Sequence, residues 1–363
     1  ILYTPRIPKP LHKMRKTGLD VLRGLAIILV LFRHSNLDSN AINYFGWLGV
    51  DLFFVLSGFL ISNLLFVEYK KNESIQIRRF LLKRAFKIFP PFYFFMFITL
   101  IIYYISGILN ISLYQLFSEL FYVQSYLPRI WIHTWTLAVE EQFYIIFSLI
   151  MLCLTSKHLL KKKHLVITSL ITLLVLSFIM RLYVSYPHRN DDVFAFMQTH
   201  LRSDGILAGI LISYLLNFTK FLAYFQRRKW ALAFLCFLLI SPGFLFEGGS
   251  FFMNTIGLTL VNIGFSILVL LSINAGEYLK PSSLSYLKKV LIPISFIGVN
   301  SYSIYLWHLN SKQIIYVLFS FDPNTMAILY ISLSIIAGIA LSYLIEKPSI
   351  HFRDYVLKKH FVS

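Results

Sequence analysis

The sequence predicts an all-α protein, a polytopic transmembrane helix bundle of about ten spans with both termini in the cytoplasm. The first observation is composition. Of 363 residues, 57% are hydrophobic and only 14% charged, with a mean hydropathy of +0.69. Soluble domains carry about 25% charged residues, so a soluble enzyme is excluded. A disordered chain, which needs high charge and few aromatics, is excluded too. The second observation is a series of apolar runs, most of them near the ~20 residues that a spanning helix needs. The third is charge asymmetry. The segments 1–18, 68–89, 156–164, 220–229, 274–292 and 346–363 hold 27 of the 34 Lys and Arg, and the alternate loops hold only Arg129, Arg189 and Arg202. Loops rich in Lys and Arg stay in the cytoplasm.

The apolar runs are 19–35, 47–67, 90–109, 135–155, 165–184, 205–219, 230–246, 254–273, 293–317 and 325–345. Charge interrupts the first run and no small-residue cleavage site follows it, so no cleavable signal peptide is expected. No internal repeat is visible and the polar gaps are short, which predicts a single domain over 1–363. Cys153 and Cys236 lie inside apolar runs and read as small hydrophobes. The net charge of +18 is mostly the loop asymmetry. It suits anionic membrane lipid or a polyanionic cytoplasmic ligand, and no soluble domain is present to carry nucleic acid.

The largest basic patch runs from Arg78 to Pro90, with charges at Arg78, Arg79, Lys83, Arg84 and Lys87. Residues 79, 83, 84 and 87 share one helical face. This predicts an interfacial helix running into the third span, with Pro90 and Pro91 at the turn.

Ionisable groups inside spans are costly and mark function by default. Arg23 and His34 are eleven residues apart, about 1100° of helical rotation, so they share a face and stand about 16 Å apart along the axis. Arg23 then lies toward the cytoplasm and His34 in the outer part of the bilayer. Counting depth along the second, fourth, sixth and ninth spans puts Asp51, Glu140, Asp204 and His308 level with His34, which predicts one polar chamber with Arg23 below it. Glu141 faces about 100° away from Glu140. A histidine beside a carboxylate is an arrangement for general-base work. No GxSxG or reactive-cysteine context supplies a nucleophile, no HxxxH or HEXXH spacing supports a metal, and no Walker loop suggests nucleotide hydrolysis. Small residues mark close helix approach: Gly58, on the face of Asp51, and the Gly205/Gly209 pair.

Several segments resemble the acyltransferase 3 family of membrane acyltransferases. They are Gly18-Leu19-Asp20-Val21-Leu22-Arg23-Gly24 followed by His34; Gly49-Val50-Asp51-Leu52-Phe53-Phe54 through Gly58; Trp135-Thr136-Leu137-Ala138-Val139-Glu140-Glu141-Gln142; Arg202-Ser203-Asp204-Gly205; Ser301-Tyr302-Ser303-Ile304-Tyr305-Leu306-Trp307-His308; and Glu346-Lys347-Pro348. They run in family order along nearly the whole chain. The resemblance implies an O-acyltransferase of the cytoplasmic membrane. It would move an acyl group, commonly acetyl, from cytoplasmic acyl-CoA to a hydroxyl, often on a sugar of a surface glycan or its lipid-linked precursor. Acyl-CoA would be a substrate, with no permanently bound cofactor. The resemblance makes His34 catalytic, Arg23 a donor-side residue and Glu140 a further site residue.

The sequence departs from the family where relatives often read Arg-Arg-x-x-Arg-Ile-x-Pro-x-Tyr. Here the positions are Lys83, Arg84, Lys87 and Phe92, and Lys keeps the charge but loses the bidentate fork. Many relatives also carry a fused extracytoplasmic hydrolase-like domain, which is not expected in 1–363. In the combined reading, Arg78, Arg79, Lys83, Arg84 and Lys87 gather the donor, whose arm passes Arg23. His34, steered by Glu140 or Asp51, deprotonates the acceptor or accepts the acyl group itself. Arg202, Asp204, Trp307 and His308 serve the acceptor or the oxyanion. The rival readings are a proton-coupled transporter and an acyltransferase acting on a small metabolite such as a macrolide.

Overall fold

The computed structural model describes residues 11–37, 45–107, 111–186, 195–275 and 285–361. The basic stretches 1–10 and 276–284, the loop residue Arg189 and the end of the expected 90–109 span lie outside the described residues. All regular structure among the described residues is helical. The main helices are α1 (Leu11–Arg33), α2 (Leu48–Asn72), α3 (Ile77–Ile105), the short α4 (Leu113–Leu120), α5 (Trp135–Ser156), α6 (Lys163–Ser185), α7 (Thr199–Phe218), α8 (Phe221–Arg227), α9 (Lys229–Ile240), α10 (Leu258–Ala275), α11 (Ser285–Val299), α12 (Ser301–Leu318), α13 (Pro323–Leu341) and α14 (Lys347–Phe361).

Among the described residues, seven helices are long and apolar enough to cross a membrane, or nine if each of two bent pairs is one span. The expected run 19–35 is helical in α1, but Lys16, Asp20, Arg23 and Arg33 set it apart from those seven. The bundle shelters it instead: α1 packs on α11, α2, α10 and α12. The run 230–246 belongs to a pair bent by 89°.

The run 293–317 is not one straight helix. It breaks at Asn300 into Lys289–Val299 and Ser301–Leu318, bent by 80°. The Asn300 side chain donates to the Phe296 carbonyl at 2.8 Å, a local bond that competes with continued helix.

Pro90 and Pro91 likewise do not form a turn, for both lie inside α3. A proline removes the N–H that would bond the carbonyl four residues earlier. For Pro90 that carbonyl is Phe86, and it accepts instead from the Ser349 hydroxyl at 2.5 Å. The repair ties α14 to α3, and the Phe86 and Phe352 rings reinforce it at 5.9 Å.

Close packing follows the small residues. A Cβ on Gly58 would stand 2.0 Å from the Ile206 carbonyl oxygen, and one on Gly209 would stand 2.1 Å from that of Val55. The α2–α7 contact thus needs both glycines. Gly24 and Gly298 do the same where α1 meets α11.

Candidate active site

The basic face of α3 supplies one wall of a cavity of about 360 Å³. Lys83, Arg84 and Lys87 enter it from α3, Arg23 from α1, Ser57 from α2, Glu140 and Glu141 from α5, Ser301, Tyr302 and Tyr305 from α12, and Arg353 from α14. Arg23 donates to the Ser301 hydroxyl at 3.0 Å and lies 3.7 Å from Asp20. The Arg84 guanidinium sits 4.5 Å above the Tyr144 ring. Cations therefore outnumber carboxylates around the cavity, and at reduced dielectric such an excess attracts an anion strongly. Arg78 and Arg79 line a separate shallow surface depression instead.

Glu140 accepts from the Ser57 hydroxyl at 3.0 Å and from the Tyr144 hydroxyl at 2.5 Å. These bonds hold it in the basic cavity, away from the shared chamber expected with His34. Glu141 does not point elsewhere, as 100° of rotation implied: it lines the same cavity, buried, with Oε1 lacking a hydrogen-bond partner.

A second cluster lies behind Tyr305. His34 follows directly after α1, and its Nδ1 donates to the Val30 carbonyl at 2.9 Å. A carbonyl only accepts, so the neutral ring carries its proton on Nδ1 and a lone pair on Nε2. The His34 ring meets His308 at 5.1 Å, and His308 meets His133 at 5.1 Å. His308 Nδ1 donates to the Tyr305 carbonyl at 2.6 Å, and His133 Nε2 to the Leu306 carbonyl at 3.1 Å. The other nitrogens of these two buried rings, His308 Nε2 and His133 Nδ1, have no hydrogen-bond partner. Among the described residues, no three His, Cys, Asp or Glu side chains gather as a metal site.

Tyr305 joins the two regions. Its ring lines the cavity, its hydroxyl engages Thr136 at 2.8 Å and donates to the His133 carbonyl at 2.9 Å, and its carbonyl holds His308. Neither Tyr305 nor His133 stands out in the sequence as a site residue, although His133 lies just two positions before the Trp135 motif.

Asp51 and Asp204 are engaged elsewhere. Arg202 donates to Asp51 Oδ1 at 2.7 Å and lies over the Phe54 and Trp135 rings. Asp204 pairs with buried Arg181 and accepts from Asn262 at 2.9 Å. Trp307 packs on Phe94 and Phe95. The predicted single chamber is thus three neighbourhoods, with His34 beside His308 rather than beside a carboxylate.

Buried Glu119 is another residue that sequence reasoning missed. Its Oε1 accepts from the Thr134 hydroxyl at 2.9 Å and the Ile130 amide at 3.0 Å, which shapes the turn carrying His133. Burial pushes its carboxyl up to about 7 against the pull of those donors. The Ser112/Gln115 capping box that starts α4, and so positions Glu119, was legible as S-x-x-Q.

Comparison with known proteins decides the family. The model of the acyltransferase 3 family, described as an acyltransferase domain, matches residues 16–347. The chain belongs to the acyltransferase 3 family. Among its relatives is the peptidoglycan O-acetyltransferase OatA of Listeria monocytogenes. The two are 28% identical over 80% of this chain and 48% of OatA. YrhL of Bacillus subtilis, provisionally named a peptidoglycan O-acetyltransferase, is 27% identical over 83% of this chain and 49% of its own length. A provisionally named O-acetyltransferase of Staphylococcus aureus is 25% identical, with 82% and 50% covered. The chain spans about half the length of these curated relatives. No solved structure matches it.

Proposed function

We propose that the protein is a multi-pass O-acyltransferase of the cytoplasmic membrane with about ten spans and cytoplasmic termini. It transfers an acetyl group from cytoplasmic acyl-CoA to a hydroxyl of a surface glycan. The relatives' names support acetyl transfer and a glycan acceptor. The Lys and Arg asymmetry supports the orientation.

The observation that carries the reading is the pairing of two unlike regions across Tyr305. On one side is a cavity with excess cationic charge. On the other is an imidazole whose bond to Val30 leaves Nε2 free to take a proton. CoA is a polyanion, so its phosphates belong among Lys83, Arg84 and Lys87. Its pantetheine arm runs inward past Arg23 toward Tyr305, and the thioester reaches the histidines. His34 Nε2 takes the acceptor hydroxyl proton as the oxygen attacks the thioester carbon. The tetrahedral intermediate collapses, the C–S bond breaks, and the thiolate leaves with the proton returned from His34. The unpartnered nitrogens of His308 and His133 accept hydrogen bonds from neighbouring hydroxyls of the acceptor sugar or from water beside it.

The test is the purified chain in liposomes with acyl-labelled acetyl-CoA and a glycan acceptor. The reading expects free CoA and labelled glycan in equal amounts. A protein that leaves the thioester intact contradicts it.

A further inference from the structure

We propose that Arg353, on α14, is a donor-binding residue that takes a phosphate at the nucleotide end of acyl-CoA. The inference rests on the proposed use of acyl-CoA.

Arg353 lies beyond the family-matched segment, which ends at 347, yet its side chain lines the same cavity as Arg23, Lys83, Arg84 and Lys87. Its place is fixed by a rigid element. Four residues earlier, Ser349 is bonded to the Phe86 carbonyl that Pro90 leaves free, and the adjacent Phe352 packs on Phe86. A charge carried on a docked helix is held more accurately than one on a loop.

Arg353's present partners occupy it weakly. One is the Lys83 carbonyl at 3.4 Å. The other is Asp354, its chain neighbour, whose Oδ1 accepts from Nε at 2.9 Å and lies 2.8 Å from Nη2, with 51% of the carboxylate side chain exposed. The half-exposed carboxylate is screened by solvent, which weakens the pair, and water readily takes over the released Asp354. A guanidinium offers five donors in a fork that matches phosphate oxygens. Lys83, on the same rim, is exposed. The nucleotide therefore stays at the mouth between α3 and α14 while the pantetheine arm enters. Arg353 supplies the fork that Lys83 and Lys87 lack.

The test measures binding of CoA and of pantetheine, which lacks every phosphate, to the full chain in lipid nanodiscs. Wild type is expected to bind CoA more tightly than pantetheine. Arg353→Gln should weaken CoA about tenfold, the loss of one hydrogen bond to a charged group, and leave pantetheine unchanged. Asp354→Asn, which removes the competing carboxylate, should tighten CoA and not pantetheine. Lys358→Gln, the same charge change on an exposed position of α14, should alter neither. Wild-type CoA affinity in both Arg353→Gln and Asp354→Asn overturns the proposal and leaves the donor reading standing. Equal weakening of CoA and pantetheine in Arg353→Gln also overturns it, since that would mark a structural role. A wild type with no preference for CoA overturns the donor reading as well.

Discussion

The imidazoles of His34 and His308 meet edge to face at 5.1 Å, and each spends its Nδ1 proton on a backbone carbonyl, that of Val30 or Tyr305. The pair joins α1 to α12 at the same helix that receives Arg23, through Ser301.

Replacing His308 by Phe keeps a ring of similar shape and removes both nitrogens. If His308 Nε2 orients the acceptor through a neighbouring sugar hydroxyl or a water, kcat should fall roughly 10²-fold with an unchanged KM for acetyl-CoA. Steady-state kinetics on the purified variant check this, and an unchanged kcat would reduce His308 to packing.

Glu140→Gln and Glu141→Gln should behave differently although both residues line the cavity. Glu140 accepts from Ser57 and Tyr144, and an amide nitrogen cannot accept from either. The variant should lower both the melting temperature and kcat. At Glu141, whose Oε1 has no partner, Gln breaks no hydrogen bond, so melting temperature should stay unchanged. Identical behaviour of the two variants would contradict these roles.

Glu119 makes stability depend on pH. Its carboxyl titrates near 7 in the folded chain, against about 4.3 unfolded. The folded state therefore holds the proton more tightly, and the contribution is fully present below about pH 4.3 and lost as pH rises through 7. Melting temperature measured from pH 4.5 to 8 should fall with pH in the wild type and fall less in Glu119→Gln. Parallel profiles would show that Glu119 does not carry the effect.

Gly209→Ala should destabilise the bundle, because its Cβ would lie 2.1 Å from the Val55 carbonyl oxygen. Overpacking of this kind costs about 1–3 kcal/mol, read as a lower melting temperature. Gly249→Ala, where the added Cβ meets nothing within 4 Å, should melt like the wild type.

Helical periodicity made much of this legible. Arg23 and His34 do face the same neighbour, and Gly58 and Gly209 do mark a close crossing. Each expected apolar run is mainly helical where it is described, with 293–317 broken at Asn300. Depth counting set His308 level with His34, and the two rings meet, but it failed for Glu140, which Ser57 and Tyr144 hold in the basic cavity instead of beside His34. The rotation argument separated Glu140 from Glu141, yet a cavity as broad as this one accepts both. Tyr305, His133, Glu119 and Arg353 were not legible as site residues because their roles depend on contacts between distant segments. Arg353 depends on a carbonyl that a proline has left free on another helix.

The central claim is that His34 performs acyl transfer from a donor held in the basic cavity. The most direct measurement is CoA release and glycan labelling from acetyl-CoA by wild-type and His34→Ala protein in liposomes, at matched insertion and melting temperature. The account predicts stoichiometric transfer by wild type and none above background by His34→Ala. Wild-type transfer by a folded His34→Ala protein, or solute movement by the wild type without thioester consumption, would contradict it.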